Sequence, residues 1–197
     1  LPALFDALDA QAYRDFEVIL VDSGSLDRSR DIAAERGARV IRIDSHDFTF
    51  GYSLNVGIRD AGGRFIAIAS AHTVPRGGDW LANLVAPLRD ADTAMAYGRQ
   101  LGVAASKFGE AEDFRRTFGS EPLTLSPPEF FANNANAAVR RDLWLDHPFD
   151  EALTGLEDID WAKHWMEQGY RVVYAPQAAL YHIHEESWPQ VRRRYYR

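Results

Sequence analysis

The chain contains no cysteine, which excludes a disulfide framework, a thiolate metal site and a thiol nucleophile, and permits a reducing compartment without demanding one. No apolar run approaches the roughly 18–20 residues of a membrane span. The start, Leu1-Pro2-Ala3-Leu4, has neither the basic region nor the cleavage site of a signal peptide. Positive charge is scarce: 22 Lys and Arg against 29 Asp and Glu give a net −7, so the body is not built to bind nucleic acid. The local exception is the C-terminal end, where Arg192, Arg193, Arg194 and Arg197 place +4 on the last ten residues and leave −11 on the remainder. An initiator Met is also lacking, and the chain is expected to be a piece of a longer protein.

What is present is a globular composition. Over 197 residues, 46% hydrophobic and 12% aromatic side chains supply one sizeable core and exclude a disordered chain. Phe16 to Asp22 is an apolar, β-branched run that stops at Ser23-Gly24-Ser25, the pattern of a buried strand entering a loop. A helix is expected from Leu26 to Arg36, closed by Gly37, then a strand at 38–44 and a helix at 52–61 ended by Gly62-Gly63. A third strand at 64–69, a helix at 79–89 and a strand at 93–98 continue the alternation. Such alternation predicts βαβ units and a mostly parallel, Rossmann-like sheet with helices on both faces. Beyond Gln100 the periodicity weakens. A helix around 107–118 precedes a loop interrupted by Pro122, Pro127 and Pro128, followed by a strand at 136–140, a helix at 157–168, and strands at 171–174 and 180–184. There is no internal repeat.

In open α/β sheets ligands sit beyond the carboxyl ends of the strands. Three such ends are polar: Asp22-Ser23-Gly24-Ser25, Asp44-Ser45-His46-Asp47 and Ser70-Ala71-His72-Thr73. Neither GxGxxG after the first strand nor GxxxxGK[ST] anywhere is found, which counts against a dinucleotide dehydrogenase and a P-loop NTPase. Asp22 before Ser-Gly fits a contact to a nucleoside and equally an ordinary turn. Glu157-Asp158 opens a predicted helix, where the dipole favours ionised carboxylates, so Asp158 suits a general base, although by position alone an ordinary first-turn acid is the favoured reading. Tyr181-His182-Ile183-His184 places two imidazoles on one strand face, a metal hint or a polar edge.

Several stretches together resemble family 2 glycosyltransferases of the GT-A fold. Gln11 to Asp27 is similar to the family's Q-x-Y-x-x-F-E-I-I-V-V-D-D-G-S-x-D block, and Asn55-Val56-Gly57 through Gly63 to its N-x-G-x-x-x-A-x-G helix. Asn136 to Trp144, with Pro148-Phe149-Asp150-Glu151, resembles its acceptor-side segment, and Glu157-Asp158 stands where the family keeps an E-D pair. The resemblance implies a GT-A fold whose first strand is missing from this chain. It divides the chain into a nucleotide-sugar half at 1–99 and an acceptor and catalytic half at 100–197 of the same domain.

The activity so implied is inverting transfer of a sugar from a nucleoside diphosphate donor to an acceptor hydroxyl, in cell-surface polysaccharide or glycoconjugate synthesis. Asp158 is then the base with Glu157 orienting it. Donor contacts fall to Asp22, Ser23, Ser25, His46, Asp47, Asn55, Ser70 and His72, and acceptor contacts to Asn136 and Trp161. The family's D-x-D metal slot reads Ser70-Ala71-His72 here and contains no acid. A divalent cation, Mn or Mg, then falls to His72 and His184; without it, His72 donates to phosphate. The partners expected are the donor and a saccharide or lipid-linked acceptor, with the arginine cluster touching the inner face of a membrane from the cytoplasm. Two other classes stay open: a non-catalytic nucleotide-sugar binding module, which the missing D-x-D motivates, and a docking domain using the aromatic and arginine tail.

Overall fold

The computed structural model describes residues 1–103 and 106–183. The elements in chain order are α1 (Pro2–Asp9), β1 (Ile19–Asp22), α2 (Ser29–Glu35), β2 (Arg39–Arg42), α3 (Phe50–Asp60), β3 (Phe65–Ala69), β4 (Thr73–Pro75) and α4 (Trp80–Val85), which runs into a 3₁₀ turn at Ala86–Arg89. They continue with β5 (Thr93–Leu101), α5 (Phe108–Thr117), β6 (Leu123–Leu125), β7 (Asn136–Arg140), α6 (Arg141–Asp146), α7 (Glu157–Glu167) and β8 (Arg171–His182).

β1 and β2 pair in parallel as a two-stranded sheet. The other strands form a sheet of order β3-β7-β5-β8-β4, with β6 also on β8. The α/β class expected from the alternation holds, but the pairing is mixed: β1·β2 and β5·β8 are parallel, whereas β3·β7, β5·β7, β4·β8 and β6·β8 are antiparallel. Alternation revealed the βαβ units and carried no signal for the antiparallel β7, because pairing partners distant in sequence are chosen by tertiary packing.

The centre of the sheet is buried on both faces. Met95 and Tyr97 of β5 enter a cluster with Val139, Trp144, Trp161, Trp165 and Tyr174, whereas Ala96 faces Trp80, Leu81, Leu84, Leu88 and Leu180. This follows from the period-two alternation of side chains in a strand. A third cluster joins Phe5 and Ala33 to Ala38, with Leu20 and Val40 against it, and so seats α1 and α2 on the small sheet.

The segments expected at 171–174 and 180–184 are one strand. Pro176 does not break it, because the ladder to β5 skips from Gly98↔Ala175 to Gln100↔Leu180 and the proline lies in that irregularity, where no donor is required. Gly98 has no Cβ for the same reason: one would run into the Ala178 carbonyl and the Asn136 amide. The segment read as loop after α5 contains β6, and α6 directly follows β7. His184 and the arginine cluster lie outside the described residues.

Candidate functional site

β1 ends in Asp22, which is only 4% exposed. Its carboxylate accepts hydrogen bonds from the backbone N–H groups of Gly24 (3.3 Å) and Ser25 (3.2 Å), and Arg30 Nη1 lies 3.4 Å away. Burial works against the charge, but the Ser25 hydroxyl and N–H, the Gly24 N–H and Arg30 outweigh it and hold the acid below its usual range. Gly24 takes φ +111°, a left-handed value that a side chain would strain, and the turn it makes leaves Ser23 and Ser25 half-buried at the strand end. A Cβ at Gly24 would stand 3.7 Å from that of Ser45, so the loop after β2 adjoins this turn. His46 and Asp47 follow in that loop and are exposed.

The turn between β3 and β4 carries Ser70 and His72. The Ser70 carbonyl accepts from both the N–H and the hydroxyl of Thr73, which folds the turn back and starts β4. β4 pairs with β8 in the register Thr73↔His182, and this brings His182 beside the turn. His72 Nε2 then lies 2.7 Å from His182 Nε2, and His182 Nδ1 lies 2.6 Å from Gln100 Oε1. With the Gln100 oxygen as acceptor, Nδ1 of His182 carries its hydrogen, Nε2 becomes the acceptor, and His72 is the donor. The His182 ring stacks on Phe114 at 5.6 Å. The buried Gln100 Nε2 has no partner among the described residues.

The histidine that meets His72 is therefore His182. The sequence places it on the same strand face as His184, and only the β4·β8 register distinguishes it. Among the described residues, no group of three or more His, Asp or Glu side chains could hold a metal ion. The convergent side chains offer two imidazole nitrogens, a set that suits softer first-row ions better than manganese or magnesium, which prefer oxygen ligands such as those of a diphosphate.

α7 opens with Glu157 and Asp158, preceded by Leu156 in the left-handed region at φ 65°. Such a conformation is costly for a side chain as bulky as leucine, and it turns the chain sharply just before the two acids. Both are held by Asn134, from the loop ahead of β7. Its backbone N–H donates to Asp158 Oδ2 at 3.0 Å and its side-chain Nδ2 to Glu157 Oε1 at 3.1 Å. Asp158 Oδ1 also accepts from the Ile159 N–H at 2.8 Å. Burial raises the pKa of both carboxyls, and the charge of Asp158 raises Glu157 further. The next residue, Ala135, accepts at its carbonyl from the Ser70 N–H at 3.3 Å. One loop thus joins the carboxylate pair to the turn bearing His72, two features more than eighty residues apart in sequence. Sequence reasoning missed Asn134; the only signal was a pair of asparagines in a loop, where such side chains commonly cap neighbouring backbone.

Three expected contact residues are structural. Asn55, 1% exposed, accepts at Oδ1 from the Trp144 indole and the Phe149 N–H, and donates from Nδ2 to the Phe149 carbonyl and Glu151. It fastens α3 to the 149–151 segment and has no capacity left for a donor. Asn136 is wholly buried; its Oδ1 accepts from Trp80 and its Nδ2 donates to the carbonyls of Arg99 and Ala178. Trp161 is likewise wholly buried, packs on Phe149 and Trp165, and donates to the His147 carbonyl. An acceptor cannot reach either without opening the core.

The family model described as Glycosyl transferase family 2 matches residues 1–145. The chain is 26% identical over 206 residues to the O-antigen chain rhamnosyltransferase RfbN of Salmonella typhimurium, covering 99% of this chain and 66% of that protein. It is 24% identical over 208 residues to the O-antigen chain rhamnosyltransferase WbaN of Salmonella anatum, covering 98% and 64%. The chain therefore spans just under two thirds of the length of these curated relatives. Among solved structures, the mannosyltransferase PcManGT from Pyrobaculum calidifontis, in complex with GDP-Man and Mn2+, superposes with TM-score 0.72 at 20% identity, covering 98% of this chain and 57% of that one. TarS 1-349 of S. aureus in complex with UDP-GlcNAc gives 0.71 at 18% identity, covering 93% and 54%. These likenesses show the fold, which is GT-A.

Proposed function

The chain belongs to glycosyl transferase family 2, and from that premise we propose that it moves a sugar, rhamnose being the first to test, from a nucleoside diphosphate to an acceptor hydroxyl of a cell-surface polysaccharide, with inversion. The observation that carries this reading is the Asn134-Ala135 loop, which ties the Glu157–Asp158 pair to the Ser70–His72 turn. A base for the acceptor and a group for the departing diphosphate are thereby neighbours, as a single displacement requires. Asp158 takes the acceptor's proton as the oxygen bonds to the anomeric carbon, and the bond from that carbon to the diphosphate breaks. Its raised pKa makes it a stronger base than an exposed aspartate.

Asp22 holds the nucleoside, with Ser23 and Ser25 at the same strand end and His46 and Asp47 on the adjoining loop; Ser70 and His72 face the diphosphate. The proposed division of labour gives residues 1–99 to the donor and 100–197 to the acceptor and the chemistry. A manganese ion held by His72 and His182, with His184 as a proposed further ligand, would offset the charge of the leaving diphosphate. The arginine cluster is proposed to meet an anionic membrane surface that carries a lipid-linked acceptor. No helix of the described residues is long and apolar enough to cross a membrane.

The test is release of nucleoside diphosphate from a panel of nucleotide sugars, with and without manganese and a polysaccharide acceptor. Donor binding with no release for any sugar would favour the non-catalytic binding module, a reading supported by the absence of an acid in the slot after β3.

A further inference from the structure

Asn134 donates to both carboxylates at once, from its backbone to Asp158 and from its side chain to Glu157. The arrangement has a cost. The other side-chain atom, Oδ1, is buried with no hydrogen-bond partner among the described residues, and an unsatisfied buried acceptor is destabilising. Flipping the amide would not relieve it, since the oxygen would then face the Glu157 carboxylate and the donor would be lost. The orientation is therefore dictated by Glu157, at the expense of the asparagine's own hydrogen-bonding capacity. A residue selected for stability alone would satisfy both ends, as Asn55 and Asn136 do.

We propose that Asn134 is a positioning residue of the Glu157–Asp158 pair, which holds both carboxylates oriented; this rests on the reading of Asp158 as the base. Glu157 is buried and Asp158 half-buried, and the charge of Asp158 acts on Glu157, while Asp160 in the same helical turn is exposed. Two adjacent carboxylates repel, so without a donor one of them retains its proton to higher pH. At Glu157 its own backbone N–H and then the Asn134 side chain oppose this, and at Asp158 the Asn134 backbone N–H does so together with those of Ile159 and Asp158. Because the two titrate together, the consequence is a property of the pair. Asn134 also precedes Ala135, whose carbonyl bonds the turn bearing His72, so the same two residues set the position of the base relative to the diphosphate side.

The experiment is a carboxyl-carbon NMR titration of the full chain as wild type, Asn134→Ala and Asn134→Ser, with transfer kinetics on the same samples. In Asn134→Ala, the titration midpoints of the pair are expected to rise by about half a unit or more. Asn134→Ser retains a donor and should fall between that variant and wild type. The kcat should drop roughly ten- to hundredfold, with its acid limb moved to higher pH, while donor KM changes less than about twofold. Unchanged midpoints in a folded variant overturn the proposal, as does a KM that rises in step with the fall in kcat. If the alanine variant does not fold, the serine variant decides by the same titration. A wild type that transfers no sugar overturns the catalytic reading alone, because the titration tests positioning without any turnover.

Discussion

The Nε2 atoms of His72 and His182 face each other at 2.7 Å, and Gln100, 2.6 Å from the far nitrogen of His182, determines which of them carries the hydrogen. His72 stands in the turn after β3, and His182 reaches it only because β4 folds back along β8. An ion held by both would need a lone pair on each Nε2, whereas their mutual contact needs a hydrogen on one of them. Metal binding and the imidazole–imidazole hydrogen bond are thus alternatives.

Calorimetry with manganese and a nucleoside diphosphate should accordingly give metal-linked heat in wild type. That heat should disappear in both His72→Ala and His182→Ala, whose lost nitrogen is a ligand rather than a neighbour. No metal-linked heat in wild type, together with transfer that survives a strong chelator, would sink coordination and leave His72 as a donor to phosphate.

Asp158→Asn should retain nucleotide affinity and lower transfer by roughly 10²–10⁴-fold, the range for loss of a positioned base. In wild type the acid limb of kcat should lie above 3.8, the ordinary aspartate value, because burial raises this carboxyl. Near-normal turnover in the folded variant would transfer the role to another acid, with Glu157 and Asp160 next in line.

The same substitution should change how stability depends on pH. A carboxyl whose folded pKa is raised penalises the folded state above that pKa, and the penalty vanishes below the unfolded value of 3.8. An amide in place of the carboxyl cannot ionise, and it offers one acceptor where the Asn134 and Ile159 N–H groups now have two, so the Tm of Asp158→Asn relative to wild type should carry a pH-independent loss and improve as pH rises above the unfolded value. A Tm difference independent of pH would show that Asp158 is not under this strain.

Asp22→Ala should weaken binding of the free nucleoside diphosphate about tenfold, roughly one charge-assisted hydrogen bond. The side chain is almost fully enclosed by its own turn and Arg30. Loss of transfer with unchanged nucleotide affinity would contradict its placement against the nucleoside.

Asn55→Ala should behave in the opposite way, lowering stability by about 2–4 kcal/mol through the buried partners it abandons, with nucleotide affinity retained. Denaturant unfolding and a binding titration on one preparation check this. A stable variant with impaired nucleotide binding would restore Asn55 to the donor site.

The sequence alone determined the α/β class and the positions of most helices and strands, because period-two and period-3.6 patterning and the glycines that end helices are local signals. It also singled out Asp22, His72 and the Glu157–Asp158 pair as candidates, since polar residues at strand and helix ends stand out from apolar runs. It was misleading where a side chain's role depends on what surrounds it: Asn55, Asn136 and Trp161 lie within motifs, yet their polar atoms are consumed by distant backbone and indole groups. The choice of His182 to meet His72, the continuity of β8 through Pro176 and the grip of Asn134 on both carboxylates were decided by tertiary structure. Each depends on strand register or on a loop closing across many residues, and those distances are set by packing that no local pattern records.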